Sequence, residues 1–196
     1  MTYGQFAERL REAALTKVGP ALAAEMASTM LEAEGLAKGR LGGQVLTPRT
    51  GNLRRSLASF VEAESALKLR GVLRAGGGER DVRYARIHEE GGTILPVNAR
   101  ALAIPTKFAQ TAVGVSKYAS PRQVAGLRYV WPKGSPRGYL VRDVGGRNAR
   151  SEVWFILVGR VTMPARPYLA PSRDEAARDI GARMARAAHR ALGLAT

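Results

Sequence analysis

The stretch that decides the fold of this chain is Val161-Thr162-Met163-Pro164-Ala165-Arg166-Pro167-Tyr168-Leu169. It follows residues 151–161, a run with a strong strand pattern, and it leads into a segment with a helical pattern. Ser172-Arg173-Asp174-Glu175 predicts a capping box at the start of that last helix. Pro164 and Pro167 hold the chain extended between strand and helix, so we expect Arg166 and Tyr168 to project in defined directions.

A four-residue recurrence of apolar side chains predicts a long helix at the start of the chain. The dipeptide Gly19-Pro20 interrupts this recurrence. Because proline lacks a backbone donor, we expect a kink or a break near Val18. Residues 35–48, which are rich in glycine, are predicted to form a loop. The recurrence itself consists of Phe6, Leu10, Ala14, Val18, Leu22, Met26 and Met30.

In the middle of the chain, apolar and polar side chains alternate in the way that is typical of strands. Residues 50–57 predict a short helical turn at most, and residues 56–63 and 66–75 predict a hairpin. Residues 82–88 predict a third strand. Glycine permits backbone angles that other residues avoid, and we expect turns at strand ends at Gly51, Gly91 and Gly92.

These elements predict one α+β domain over residues 1–196. Its order is a long kinked helix, a mainly antiparallel sheet of about four strands with a large insertion, and a helix packed on the sheet. Between Ile94 and Arg150, prolines separate short apolar pieces. We interpret residues 94–150 as a basic arm or subdomain inserted in that domain.

Positive charge is concentrated in and after the predicted insertion. The chain has a formal net charge of +15, and residues 97–173 hold 13 basic and 2 acidic side chains, which contribute +11. One interpretation is a solvated basic loop; the other is a surface that faces DNA or an acidic subunit. Aromatic residues interleaved with the charges would suit stacking or an interface. The candidate contacts in this segment are Arg137, Arg142, Arg147, Arg150 and Trp131.

Motifs of catalysis and cofactor binding are missing from the sequence. There is no cysteine, and the two histidines, His88 and His189, lack the spacing of a zinc-protease helix. We therefore expect no enzyme activity, no cofactor and no metal. The longest apolar run, residues 153–158, is far shorter than the roughly 20 residues of a membrane helix. Since the first thirty residues resemble no signal peptide, we expect synthesis in a cytoplasm without membrane insertion.

Three blocks of this sequence resemble, in order, those of a known family. They are residues 50–57 (TGNLRRSL), 84–92 (YARIHEEGG) and 164–169 (PARPYL). The family is that of phage tail-completion or head-tail joining proteins, also described as virion morphogenesis or minor tail components of long-tailed phages. Residues 101–105 also resemble a segment of members with a long central insertion.

The resemblance implies a structural virion protein of the phage neck, assembled in the host cytoplasm. Such a subunit would form a homo-oligomeric ring, with six copies if it matches the symmetry of the tail. Its partners would be the tail tube and the head-side connector or stopper, with non-specific contact to genomic DNA in the channel. In this interpretation Arg166 and Tyr168 are candidates for the subunit interface or the DNA channel, and Arg166 would form a salt bridge to a neighbouring subunit. Alternatively, Tyr168 and Leu169 simply pack the helix onto the sheet.

Two other functions stay open from the sequence. The basic segment 97–173 would suit a stand-alone, non-specific nucleic-acid-binding protein, whose binding would depend on Arg137, Arg142 and Arg147. A small enzyme such as a nuclease would require metal-dependent turnover that the substitution His88→Ala abolishes. The sequence does not distinguish a tail terminator from a connector-side stopper. It also does not show which residues would face the lumen of the ring.

Overall fold

The computed structural model describes residues 2–76, 82, 84–146 and 150–194. It confirms the predicted α+β class, with long N-terminal helices, antiparallel sheets and C-terminal helices. The chain divides into two compact units. Unit 1 comprises Met1–Glu89 with Arg166–Thr196, and unit 2 comprises Glu90–Ala165.

The N-terminal helical region begins with α1, Tyr3–Ala13. Thr2 and Gln5 form a capping box at its start, each side chain accepting the other residue's backbone N–H. A π-helical segment, Ala14–Val18, leads into α2, Gly19–Gly39. In this wider turn the Gly19 N–H donates to the Ala14 carbonyl, and proline follows in the first turn of α2, where a missing donor costs least.

The predicted loop over residues 35–48 is wrong for most of its length. Helix α2 runs to Gly39 and continues as a second π-helical segment, Arg40–Gln44. The reason is burial: Ala33, Ala37 and Leu41 recur every four residues and are at most 3% exposed. Packing along this face outweighs the poor helix propensity of glycine.

The predicted hairpin of unit 1 is confirmed. A short helix, α3 (Asn52–Arg55), precedes strands β1 (Leu57–Ser65) and β2 (Lys68–Ala75), which pair antiparallel. Helix α2 packs across both strands. At the contact, a Cβ on Gly71 would lie only 2.6 Å from the Met30 sulfur, so glycine allows the helix to approach the sheet closely.

The predicted strand over residues 82–88 is wrong, because Ala85–Glu90 forms helix α4. Ala85 is buried, and His88 and Glu89, which lie one helical turn after it, are half-buried, whereas Tyr84, Arg86 and Glu90 are exposed. A seven-residue window with moderate alternation does not distinguish the two periods, and tertiary packing decides between them.

Unit 2 contains two antiparallel sheets. The small one pairs β3 (Gly92–Ile94) with β8 (Val161–Met163). The larger one has the order β4-β7-β6-β5. Strand β7 begins where the predicted insertion ends. Since β7 pairs with both β4 and β6, it lies in the same sheet as strands of that insertion. The larger sheet is built from β4 (Leu102–Pro105), β5 (Arg128–Val130), β6 (Arg137–Val144) and β7 (Arg150–Val158).

The chain ends in two helices, α5 (Leu169–Ala176) and α6 (Ile180–Leu192). Helix α5 contacts α2 and β2, whereas α6 packs on α2. The Arg183 guanidinium anchors α6 by donating to the carboxylates of Glu25 at 2.6 Å and Glu32 at 2.7 Å. No helix within the described part of the chain is long and apolar enough to span a membrane.

Candidate functional site

Residues of all three sequence blocks meet in the main hydrophobic cluster of unit 1. Leu53 and Leu57 come from the first block, Ala85 from the second and Tyr168 from the third. Each of these side chains is at most 9% exposed. We call this set, together with Ala37, Leu41 and Val82, the block cluster. The three blocks, which are far apart in the sequence, thus contribute to one hydrophobic cluster.

Tyr168 lies at the centre of the block cluster and is fully buried. Its hydroxyl donates to the Ala85 carbonyl at 3.5 Å. Burial raises the pKa of this hydroxyl, and the nearby Glu89 carboxylate raises it further. The interface role predicted for Tyr168 therefore needs correction: its ring is packed inside its own chain, as the packing alternative holds.

The Glu89 carboxylate joins the second block to the third. It accepts the backbone N–H groups of Tyr168 at 2.7 Å, Leu169 at 2.9 Å and Ala170 at 2.9 Å. These are first-turn donors of α5, which lack partners within the helix. A negative charge at this end also interacts favourably with the helix dipole. Glu89 is thus the cap of α5, supplied from a different helix.

The predicted capping box at residues 172–175 is wrong. Ser172 lies inside α5, where its hydroxyl donates to the Tyr168 carbonyl at 2.6 Å and accepts a bond from Arg40. Glu175 pairs with Arg40 at 2.7 Å instead of reaching back to the helix start. The true cap is remote in sequence, and a local motif search cannot find it.

Next to Glu89 in the chain, His88 is half-buried and interacts with the exposed Arg166. The Arg166 backbone N–H donates to the His88 carbonyl at 2.8 Å, and the Arg166 side chain is exposed. The His88 ring packs edge-on against Tyr84 at a centroid distance of 5.7 Å. Burial lowers the pKa of His88, and the Arg166 charge lowers it further. Its Nδ1 atom is buried without a hydrogen-bond partner in the described part of the molecule.

The predicted turn residues have the following backbone geometry. Gly51 adopts a φ of 70° at the residue preceding α3, and Gly91 and Gly92 have φ values of 72° and 143°. A Cβ on Gly91 would lie 2.6 Å from the Ala165 nitrogen, so a larger residue would clash with backbone. Pro164 and Pro167 are both exposed in the segment between β8 and α5.

The remaining candidates belong to unit 2. Arg137 and Arg142 are exposed on β6, and the Arg142 guanidinium lies 5.5 Å from the Trp154 ring centroid. Arg150 pairs with Glu152 at 3.3 Å. Trp131 is 42% exposed and lies beside Tyr129. Arg147 lies outside the described residues.

No family model, curated protein or solved structure matches this chain. Within residues 2–76, 82, 84–146 and 150–194, no group of three or more His, Cys, Asp or Glu side chains could hold a metal ion. In unit 1 the three blocks form a buried packing and capping arrangement, and the exposed aromatic pair Tyr129 and Trp131 lies in unit 2.

Proposed function

We propose that this chain is a structural subunit of the phage neck. It would form the ring that completes the tail and joins the tail tube to the head connector. The observation that carries the proposal is the block cluster. The three blocks that resemble the neck family are the segments that meet there, which is what a sequence signature for a shared fold would produce.

An exposed amphipathic helix supports an assembly role. Tyr3, Phe6 and Leu10 are 89%, 55% and 56% exposed and lie on one face of α1, which has no buried residue. A contiguous apolar stripe on a surface helix is typical of a protein-protein contact. In a ring, a neighbouring subunit would cover it.

The test is electron microscopy of lysates from the parent phage or prophage after deletion of this gene. We expect filled heads separated from tails, with normal particles restored by the wild-type gene supplied in trans. Intact, infectious particles in the deletion lysate would overturn the neck proposal.

A second function, nucleic-acid binding by the isolated chain, is favoured by the charge of unit 2. Residues 90–165 carry 11 basic and 3 acidic side chains, a net +8. Two of the acids, Asp143 and Glu152, are already paired with Arg128 and Arg150. Salt-sensitive DNA binding by a monomer, with normal virions in the deletion lysate, would favour this function over the neck.

A further inference from the structure

An exposed aromatic pair lies on the edge strand of the larger sheet. Strand β5 pairs only with β6 in that sheet, and Tyr129 is opposite Leu140. Trp131 directly follows this strand, and its ring lies beside the Tyr129 ring. Their ring centroids are 6.1 Å apart and their planes are tilted by 33°. They are 60% and 42% exposed.

The Trp131 ring is held rigidly in this exposed position. Its indole N–H donates to the Ser135 carbonyl at 2.9 Å, and this bond ties the loop between β5 and β6 to the ring. The ring also rests on Gly138, where a Cβ would lie only 2.2 Å from a ring carbon. The Ser135 hydroxyl donates to the Arg137 carbonyl and accepts its N–H. Because the Trp131 ring is fixed before any partner arrives, it loses little conformational entropy on binding.

Two cations of this hairpin are exposed. Lys133 follows Trp131 by two residues in the loop, and Arg137 begins β6. Since neighbouring residues of a strand alternate between faces, Arg137 lies on the sheet face opposite to Gly138, on which the Trp131 ring rests. Neither cation forms a salt bridge with a carboxylate of the described residues, whereas Arg128 of the same hairpin is paired with Asp143. The positive field of unit 2 is therefore not neutralised here, and it favours an anionic ligand.

Nucleic acid fits both features better than an acidic protein does. Each nucleotide offers a flat base for an aromatic face and a phosphate for a cation. In a duplex the bases stack on each other, so only an unpaired strand can place bases on exposed rings. We propose that the hairpin of residues 128–144 binds single-stranded nucleic acid, with bases stacked on Tyr129 and Trp131 and a phosphate held by Lys133.

The site is independent of the neck proposal, since it concerns only this hairpin. Fluorescence anisotropy of a labelled oligothymidylate would measure its affinity for the full chain. We expect Trp131→Ala to weaken binding roughly 5- to 150-fold, the range for loss of one stacked base. Trp131→Phe keeps an aromatic face and should retain most of the affinity. Equal affinities of the wild type and both variants would overturn the stacking.

A matched pair of charge variants tests the phosphate contact. Lys133→Ala removes one positive charge from the loop after Trp131, and Arg178→Ala removes one exposed positive charge from unit 1. The hairpin variant should reduce the slope of log affinity against log salt by about 0.7, the value for one phosphate contact. The unit 1 variant should leave the slope unchanged. Equal losses in both variants would show that net charge alone drives binding and would overturn the site.

Tryptophan fluorescence gives a readout that does not depend on affinity. The chain has two tryptophans, so Trp154→Phe leaves Trp131 as the only tryptophan, which can be excited selectively at wavelengths that tyrosine does not absorb. Stacking of a base on its ring should quench the emission as the oligothymidylate is added. A duplex of the same length should quench it much less. Binding without quenching, or equal quenching by the duplex, would overturn the assignment and leave a protein partner as the occupant of the aromatic pair.

Discussion

At the scale of single residues, one carboxylate connects segments that are 79 to 81 positions apart in the sequence. Glu89 accepts three first-turn N–H groups of α5, and Tyr168, the first of these residues, fills the core beside Leu53, Leu57 and Ala85. Capping and core packing are therefore coupled. A substitution at Glu89 should therefore destabilise both the first turn of α5 and the packing of the buried Tyr168 ring.

Glu89→Ala should lower the free energy of unfolding by about 2 kcal/mol, because three helix donors lose a charged acceptor. Glu64→Ala is the matched control, since it removes an exposed ion pair with Lys68. Its cost should be less than about 0.5 kcal/mol. Urea unfolding of both variants measures the difference. Equal stabilities of the two variants would contradict the capping role of Glu89.

His88 should make the stability depend on pH. Its pKa in the folded chain is below the ordinary 6.5, so between the two values the unfolded chain binds more protons. Stability from this residue is present above about pH 6.5 and is lost as the pH falls through that value towards the folded pKa. The wild type should therefore lose more stability on acidification than His88→Gln.

The other histidine supplies the control for this pH effect. His189 is exposed on α6. Urea unfolding curves of wild type, His88→Gln and His189→Gln at several pH values around neutrality would be compared. The pH slope of His189→Gln should follow the wild type. A His88→Gln slope as steep as that of the wild type would show that other groups cause the dependence.

At the scale of elements, α1 differs from every other long helix because none of its residues is buried. It continues through the π-helical segment Ala14–Val18 into α2, so its helical conformation is propagated from a packed helix. Its apolar stripe, formed by Tyr3, Phe6 and Leu10, is nevertheless left exposed. The polar residues Glu8 and Glu12 lie on the opposite face by helical spacing.

In the proposed ring, Phe6→Gln with Leu10→Gln should weaken self-association by at least about 100-fold, because two apolar side chains of the α1 stripe would no longer be buried against the neighbouring subunit. Glu8→Gln with Glu12→Gln alters the opposite face and should leave assembly unchanged. Light scattering behind size-exclusion chromatography measures the mass of each variant. An unchanged oligomer in the stripe variant would exclude α1 as the subunit contact.

At the scale of the whole molecule, the two units differ in charge and each has its own hydrophobic cluster. Residues 90–165 carry a net +8 in 76 positions, whereas the other 120 positions carry the remaining +7. The block cluster serves unit 1, and Ala109, Val124 and Phe155 form the cluster of unit 2. Electrostatic attraction of an anion is therefore expected mainly at unit 2.

Residue periodicity alone predicted the elements that bury one clear face. It located the long N-terminal helical region, the hairpin of β1 and β2, and the strand pattern of β7. These segments are long enough for the helical and two-residue periods to differ visibly. Composition also identified the basic segment, because charge is a property of the residues themselves.

The tertiary structure alone decided the helix over residues 35–44, the helix α4 and the cap of α5. In the first case burial of Ala37 and Leu41 outweighs glycine propensity. For α4, the segment is too short to distinguish a helical period from a two-residue period. For α5, the cap comes from Glu89, and a contact between residues so far apart in the sequence leaves no local pattern. Local sequence sets the propensity of a segment for helix, strand or loop. Where these propensities are similar, non-local burial and hydrogen bonding decide which of them forms.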